Sequence, residues 1–203
     1  MKNKKSSILL NHQFMTWKTR GAVTQLQITN ESLLKRLETK IKNGVGALDY
    51  QTNVNAQMTP WDFFKSDEDF QTLLSNYFFI CGKGGIYAKD YDGKTGHYRI
   101  LVQNAWGNLM KKGDFVFNHH HLGSEFSSVL YFDSHASLDT DVGEFPTKRG
   151  LIITLPSYCY HSVKTITKDI QRYTLPWNWS FKKTWDPDDP GETRLKDHEE
   201  VTI

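Results

Sequence analysis

Apolar positions recur at helical spacing in two stretches of the first 85 residues and at strand spacing through most of the remainder. Leu33, Leu34, Leu37 and Ile41 form one stripe behind Asn30, a residue able to cap a helix, and Lys40, Lys42 and Gly44 suit its end. Phe70, Leu73, Leu74, Tyr77 and Phe78 repeat the pattern. Ser66 and Asp69 form a capping-box-like start to this second helix, and Gly82 its stop. Residues 23–28 read as a strand, and 53–60 as a polar, turn-prone connection. From Ile86 onward, β-branched and aromatic segments alternate with glycines. Residues 127–132 and 151–155 are the clearest strands, the second bounded by Gly150 and Pro156. Helices followed by a β-rich body predict an α+β, mainly β architecture: a jelly roll or β-helical barrel with N-terminal helices packed outside. Residues 1–181 then form one domain. Residues 182–203, with Asp186-Pro187-Asp188-Asp189-Pro190-Gly191, are expected to be an acidic surface arm or a disordered tail.

Composition narrows the functional classes. The 203 residues suffice for one well-buried core, and 25 basic against 23 acidic residues, mixed along the chain, give a net charge of +2. No basic stripe tracks phosphates, so nucleic acid is not indicated. Cys81 and Cys159 lie far apart, which argues against a disulfide framework and for a reducing, cytoplasmic setting. The apolar run Ile8-Leu9-Leu10 is too short for a signal peptide, and no stretch is long enough to span a bilayer.

The candidate chemistry lies in His119-His120-His121, His161 and Arg172. On a strand alternate side chains share a face, so His119 and His121 can reach one metal while His120 points away. His161 follows the 151–155 strand after a short turn that brings a third imidazole back to the first two. Imidazole suits iron, zinc, copper and nickel alike, so ligand type does not choose the metal. A non-haem Fe(II) oxygenase needs a facial set of protein ligands with the opposite positions open, and these three histidines can supply one. In the 2-oxoglutarate-dependent branch the distal carboxylate of the cosubstrate needs a fixed cation. Arg172 fits, because a guanidinium pairs bidentately with a carboxylate and stays charged. Thr174, two residues on and on the same face, can add a hydrogen bond; Asn104 is a further candidate for the cosubstrate or substrate. Tyr173, Leu175 and Trp177 fall on the other face and read as core; Trp106, Tyr131 and the small residue Cys159 also read as buried.

Several blocks in order resemble a known family. They are Trp106-Gly107-Asn108, Lys112-Gly113-Asp114, His119 to Tyr131, Gly150 to Ser157, His161-Ser162-Val163, and Arg172-Tyr173-Thr174 with Asn178. Together they are similar to the 2-oxoglutarate/Fe(II) oxygenases of phage and marine bacterial genomes, over roughly the C-terminal half, with Asn53-Val54 and Met58 to Trp61 resembling the region upstream. The resemblance implies a double-stranded β-helix, Fe(II) and 2-oxoglutarate as cofactors, O2 as co-reactant, and hydroxylation of an unactivated C–H bond. A peptide or protein side chain is favoured over a free metabolite, by family analogy alone; a phage-encoded chain would work in the host cytoplasm.

The chain departs from that family where most members carry Asp or Glu, the position of His121 here. Either the site holds three histidines, or a carboxylate such as Glu125 enters from the loop. Glu125 is also where a cupin places its acid, so a cupin-type dioxygenase or isomerase without 2-oxoglutarate is the second reading; it expects Glu125 essential and Arg172 dispensable. A non-catalytic jelly-roll module is the third.

Overall fold

A computed structural model describes residues 10–14, 23–46, 52–83, 98–183 and 199–201. The chain begins with β1 (Leu10–Phe14) and β2 (Thr24–Ile28), then α1 (Glu31–Gly44), the short strands β3 (Val54–Asn55) and β4 (Gln57–Met58), and α2 (Glu68–Lys83). The β body follows as β5 (Tyr98–Ala105), β6 (Asn108–Met110), β7 (Phe115–His119), β8 (Phe126–Tyr131), β9 (Leu138–Thr140), β10 (Gly143–Phe145) and β11 (Leu151–Pro156). It ends with β12 (His161–Val163), β13 (Arg172–Lys183) and β14 (Glu199–Val201).

Both helices form where the apolar stripes predict them. The Asn30 side chain caps α1 by accepting from the Leu33 amide, and the stripe Leu33, Leu34, Leu37 and Ile41 is buried. In α2 the cap is one residue later than the Ser66–Asp69 box: the Asp67 carboxylate accepts from the amides of Asp69 and Phe70. An aspartate two residues before Asp69 outcompetes serine because it offers a charged acceptor to the helix N-terminus. Lys40 on α1 binds Asp67 and Asp69 at 2.6 and 2.8 Å, tying the helices together.

Among the described residues the strands make two antiparallel sheets, nine-stranded and five-stranded. The first runs β1-β2-β11-β8-β13-β5-β14, with β6 added beside β13 and β4 beside β6; the second runs β10-β9-β12-β7-β3. The architecture is therefore mainly β with two helices, as expected, but the sheets face each other without closing into a barrel. The large sheet buries both faces. Period-2 alternation sends Ile152, Leu130, Leu175, Trp177 and Trp179 toward the helices, and Leu151, Ile153, Leu155 and Tyr131 toward the small sheet. Gly150 is held at φ +78° between them, where any side chain would run into the Ile28 carbonyl oxygen.

Lys182 and Lys183 complete β13, and Glu199–Val201 pairs with β5, so both ends of the segment expected to be an arm or disordered tail include strand; its middle lies outside the described residues. α2 runs to Lys83, one residue past the stop expected at Gly82, and the strands expected from Ile86 lie, as far as residue 97, outside the described residues. Among the described residues no helix is long and apolar enough to cross a membrane.

Candidate metal centre and anion cavity

The small sheet brings two histidines face to face. β7 ends at His119, β12 begins at His161, and the two residues are register partners in the antiparallel ladder. His121 is not on the strand, contrary to the alternation argument: β7 stops at His119, and His121 lies in the following turn, where its amide donates to the Ser157 carbonyl at 2.8 Å. The outcome is nonetheless a triad. One nitrogen from each of His119, His121 and His161 lies within 4.8 Å of the others, and the ring centroids are 4.4–5.1 Å apart. His120 stands outside the group, its ring against Tyr160 at 4.5 Å. Glu125 is exposed at the foot of β8 and is not part of the cluster.

Two of the rings are locked in a ligand-ready tautomer. Nδ1 of His119 lies 2.8 Å from the Phe117 carbonyl and Nδ1 of His161 lies 3.1 Å from the Cys159 carbonyl. A carbonyl only accepts, so each Nδ1 carries the proton and each Nε2 keeps its lone pair. The electrostatics agree. Burial and the neighbouring rings push His121 down from 6.5 to about 3 and His161 to about 4, and burial lowers His119 as well. All three are neutral at pH 7, the form that binds a metal.

A narrow cavity between the sheets is lined by the three histidines and also by Arg172, Thr174 and Tyr131. Its volume, ≈ 50 Å³, is several times the ~10–15 Å³ that a single water needs. Arg172 opens β13 opposite Met110 and is only 1 % exposed. Among the described residues it is the one Lys, Arg, Asp or Glu that is buried. Nη1 donates to Met110 Sδ at 3.1 Å, a weak acceptor, while Nε and Nη2 have no hydrogen-bond partner. Asp133 comes only to 3.9 Å of Nε, an attraction through space rather than a hydrogen bond. Burial pulls the Arg172 pKa down, and the Tyr131 and Asp133 neighbours oppose it. A guanidinium keeps its charge regardless, so beyond the long Asp133 contact this one has two nitrogens still open to an acceptor.

Other donors converge beside it. The Tyr131 hydroxyl is buried without a partner, and the Arg172 Cζ lies 5.3 Å from its ring centroid. Thr174 Oγ1 accepts from Asn108 Nδ2 at 3.2 Å, which leaves its own proton free. Three neutral imidazoles and a cluster of unpaired donors in one cavity fit a metal and an acidic chelate sharing it. Asn104 is placed differently. It does not line this cavity; its side chain accepts from Asn178 at 2.8 Å and faces an outer cleft with His120 and His121. Tyr131 and Asn108 were not singled out from sequence as polar site residues. Period 2 puts Tyr131 on one face of β8, but only its pairing with Thr174 shows which face meets Arg172.

Fold and site geometry together define a double-stranded β-helix protein with a three-histidine centre. No family model matches the chain, and no curated protein matches its sequence. Solved structures do. A Pseudomonas putida prolyl-4-hydroxylase superposes with a TM-score of 0.55 at 14% identity, over 80% of this chain and 93% of its own. A viral collagen prolyl hydroxylase from Paramecium bursaria Chlorella virus-1, in complex with 2-oxoglutarate, gives 0.58 at 10% over 77% and 94%. HygX from Streptomyces hygroscopicus, with nickel and 2-oxoglutarate bound, gives 0.55 at 7% over 78% and 82%. At these identities the likeness establishes the shared fold.

Proposed function

We propose that this protein is a non-haem Fe(II)- and 2-oxoglutarate-dependent dioxygenase that hydroxylates its substrate. The observation that carries the reading is Arg172: a buried guanidinium with two unpaired nitrogens, in the same cavity as three neutral imidazoles. Leaving buried donors of a charged group without acceptors costs about 1–3 kcal/mol each or more, and the Asp133 carboxylate at 3.9 Å makes no hydrogen bond that would offset it. Such a site is expected to gain its anion on binding. His119, His121 and His161 would hold the metal, and Arg172, Thr174 and Tyr131 would grip the distal carboxylate. Bound Fe(II) and 2-oxoglutarate supply the activation of O2 that oxidises a C–H bond, with 2-oxoglutarate leaving as succinate and CO2.

The chain's own part is orientation and exclusion of water. Val116, Val129, Leu138 and Val163 give the cavity apolar walls, which strengthen the pairing of Arg172 with a carboxylate. Three neutral imidazoles would leave a bound divalent ion its full charge, which favours a chelating dianion over water. Above the triad a cleft of ≈ 620 Å³ is lined by Thr52, Asn53, Trp61 and Phe117, with no Lys, Arg, Asp or Glu. That cleft suits a peptide or protein side chain, the substrate class suggested by the prolyl hydroxylases among the structural neighbours. The free, buried Cys159 thiol accords with a cytoplasmic setting. A cupin reading needs Glu125 at the metal and leaves the buried Arg172 without a purpose.

Succinate release tests the proposal. The iron-loaded protein should convert 2-oxoglutarate and O2 to succinate slowly even without substrate; His161→Ala should abolish it, and Arg172→Ala should need much higher 2-oxoglutarate to reach it. Absence of succinate from the iron-loaded wild type, at any 2-oxoglutarate concentration, would overturn it.

A further inference from the structure

All three imidazoles turn Nδ1 onto a protein partner, but the partners differ in kind. For His119 and His161 the partner is a backbone carbonyl, which can only accept. For His121 it is the side-chain amide of Asn178, 3.3 Å away. The same corner of that amide lies 2.8 Å from Asn104 Oδ1, and Asn178 is 5 % exposed. The nitrogen Nδ2 occupies this corner, so His121 Nδ1 must accept. The single proton of a neutral ring then sits on Nε2 and blocks it from a metal. At the opposite corner the acceptor Asn178 Oδ1 is buried with no partner. The two ends of an amide are isosteric, so turning over both Asn178 and Asn104 preserves the packing. Asn178 Oδ1 then receives the His121 Nδ1 proton and an Asn104 N–H together.

We infer that Asn178, steadied by Asn104, is the positioning residue for His121, its amide oxygen taking the Nδ1 proton in the metal-loaded protein. The inference rests on the reading that His119, His121 and His161 hold the metal. A carboxylate ligand has no tautomer to set, whereas a third imidazole needs an acceptor behind it.

Two isosteric substitutions separate this role from a merely structural one, because they have equal charge and opposite predicted effects. Asn178→Asp makes the corner an obligate acceptor, so metal affinity stays unchanged or tightens. Asn104→Asp holds the Asn178 nitrogen at that corner, so affinity falls by about 10–100-fold, the usual consequence of losing such a supporting contact. Affinity is read by anaerobic Co(II) titration, with circular dichroism to confirm folding. Nitrogen-15 NMR of the Zn(II)-loaded wild type reads the ring directly and decides the matter even if a variant does not fold: His121 Nδ1 should be protonated and Nε2 metal-bound. Equal effects of the two substitutions, or a His121 protonated at Nε2 in the loaded protein, would overturn the inference while leaving the metal site standing. Wild-type protein that takes up no metal would instead overturn the reading of the site itself.

Discussion

The two faces of β13 solve opposite problems with the same strand. Toward the helices it presents Tyr173, Leu175, Trp177 and Trp179, packed with Phe70 and Tyr77 into a cluster whose hydroxyls are paired. The Trp179 indole donates to Ser128 Oγ at 2.8 Å, Ser128 meets Thr154 at 2.8 Å, and Thr154 meets the Tyr77 hydroxyl at 2.6 Å. The Trp177 indole N–H is the exception within that cluster. Toward the small sheet the same strand presents Arg172 and Thr174, beside a Tyr131 hydroxyl and an Asn108 side-chain oxygen, Oδ1, that lack partners. One face leaves a single indole N–H without a partner; the other leaves several polar atoms open around one cavity. Unpaired polar atoms gathered in one cavity, beside a satisfied core, mark where the fold gives up stability for function.

The largest expected effect breaks the first face. Trp177→Ala should destabilise the protein by about 3–5 kcal/mol in denaturant titration, and the fraction that stays folded should bind metal normally. Next comes the second face: Arg172→Ala should weaken 2-oxoglutarate binding by about 2–5 kcal/mol, the range for truncating one partner of a buried charge pair. Arg172→Met sharpens the contrast, because an apolar side chain of similar size removes a buried charge whose Nε and Nη2 have no acceptor. It should melt no lower than wild type in the absence of ligand while losing 2-oxoglutarate binding. Thr154→Val should cost about 1–3 kcal/mol by leaving Tyr77 and Ser128 short of a partner, with no change in cosubstrate affinity.

The last effect is electrostatic and appears only in acid. In the metal-free protein His161 and His121 titrate near 4 and 3, against 6.5 for an unperturbed ring. Between those values the unfolded chain binds more protons than the folded one. Stability contributed by these rings is therefore full above about pH 6.5 and is lost as pH falls toward 4 and then 3. Thermal melts of the metal-free protein over that range should show the decline, and His121→Asn should flatten part of it.

Much of this contrast was readable along the chain. The stripe of α1 and the alternation of Arg172 and Thr174 against Tyr173, Leu175 and Trp177 follow from the periods 3.6 and 2, which are local properties. What depends on distant partners was not readable. His121 joins the triad from a turn held by the Ser157 carbonyl, not from the strand face that alternation assigns it. Tyr131 reads as an apolar aromatic until the register of β8 against β13 sets it beside Arg172. Asn104 meets Asn178 through a pairing of residues 74 apart. The two sheets also remain open where a barrel was expected, because closure depends on edge pairing that no single segment encodes.

The central claim is that the cavity is completed by a metal-bound acid held at its far end by Arg172. Anaerobic titration of the Fe(II)-loaded protein with 2-oxoglutarate, followed by visible absorption, tests it most directly. A metal-to-ligand charge-transfer band should appear and saturate in wild type, and in Arg172→Ala the same band should form only at much higher cosubstrate. Iron binding with no band, or a band indifferent to Arg172, would contradict it.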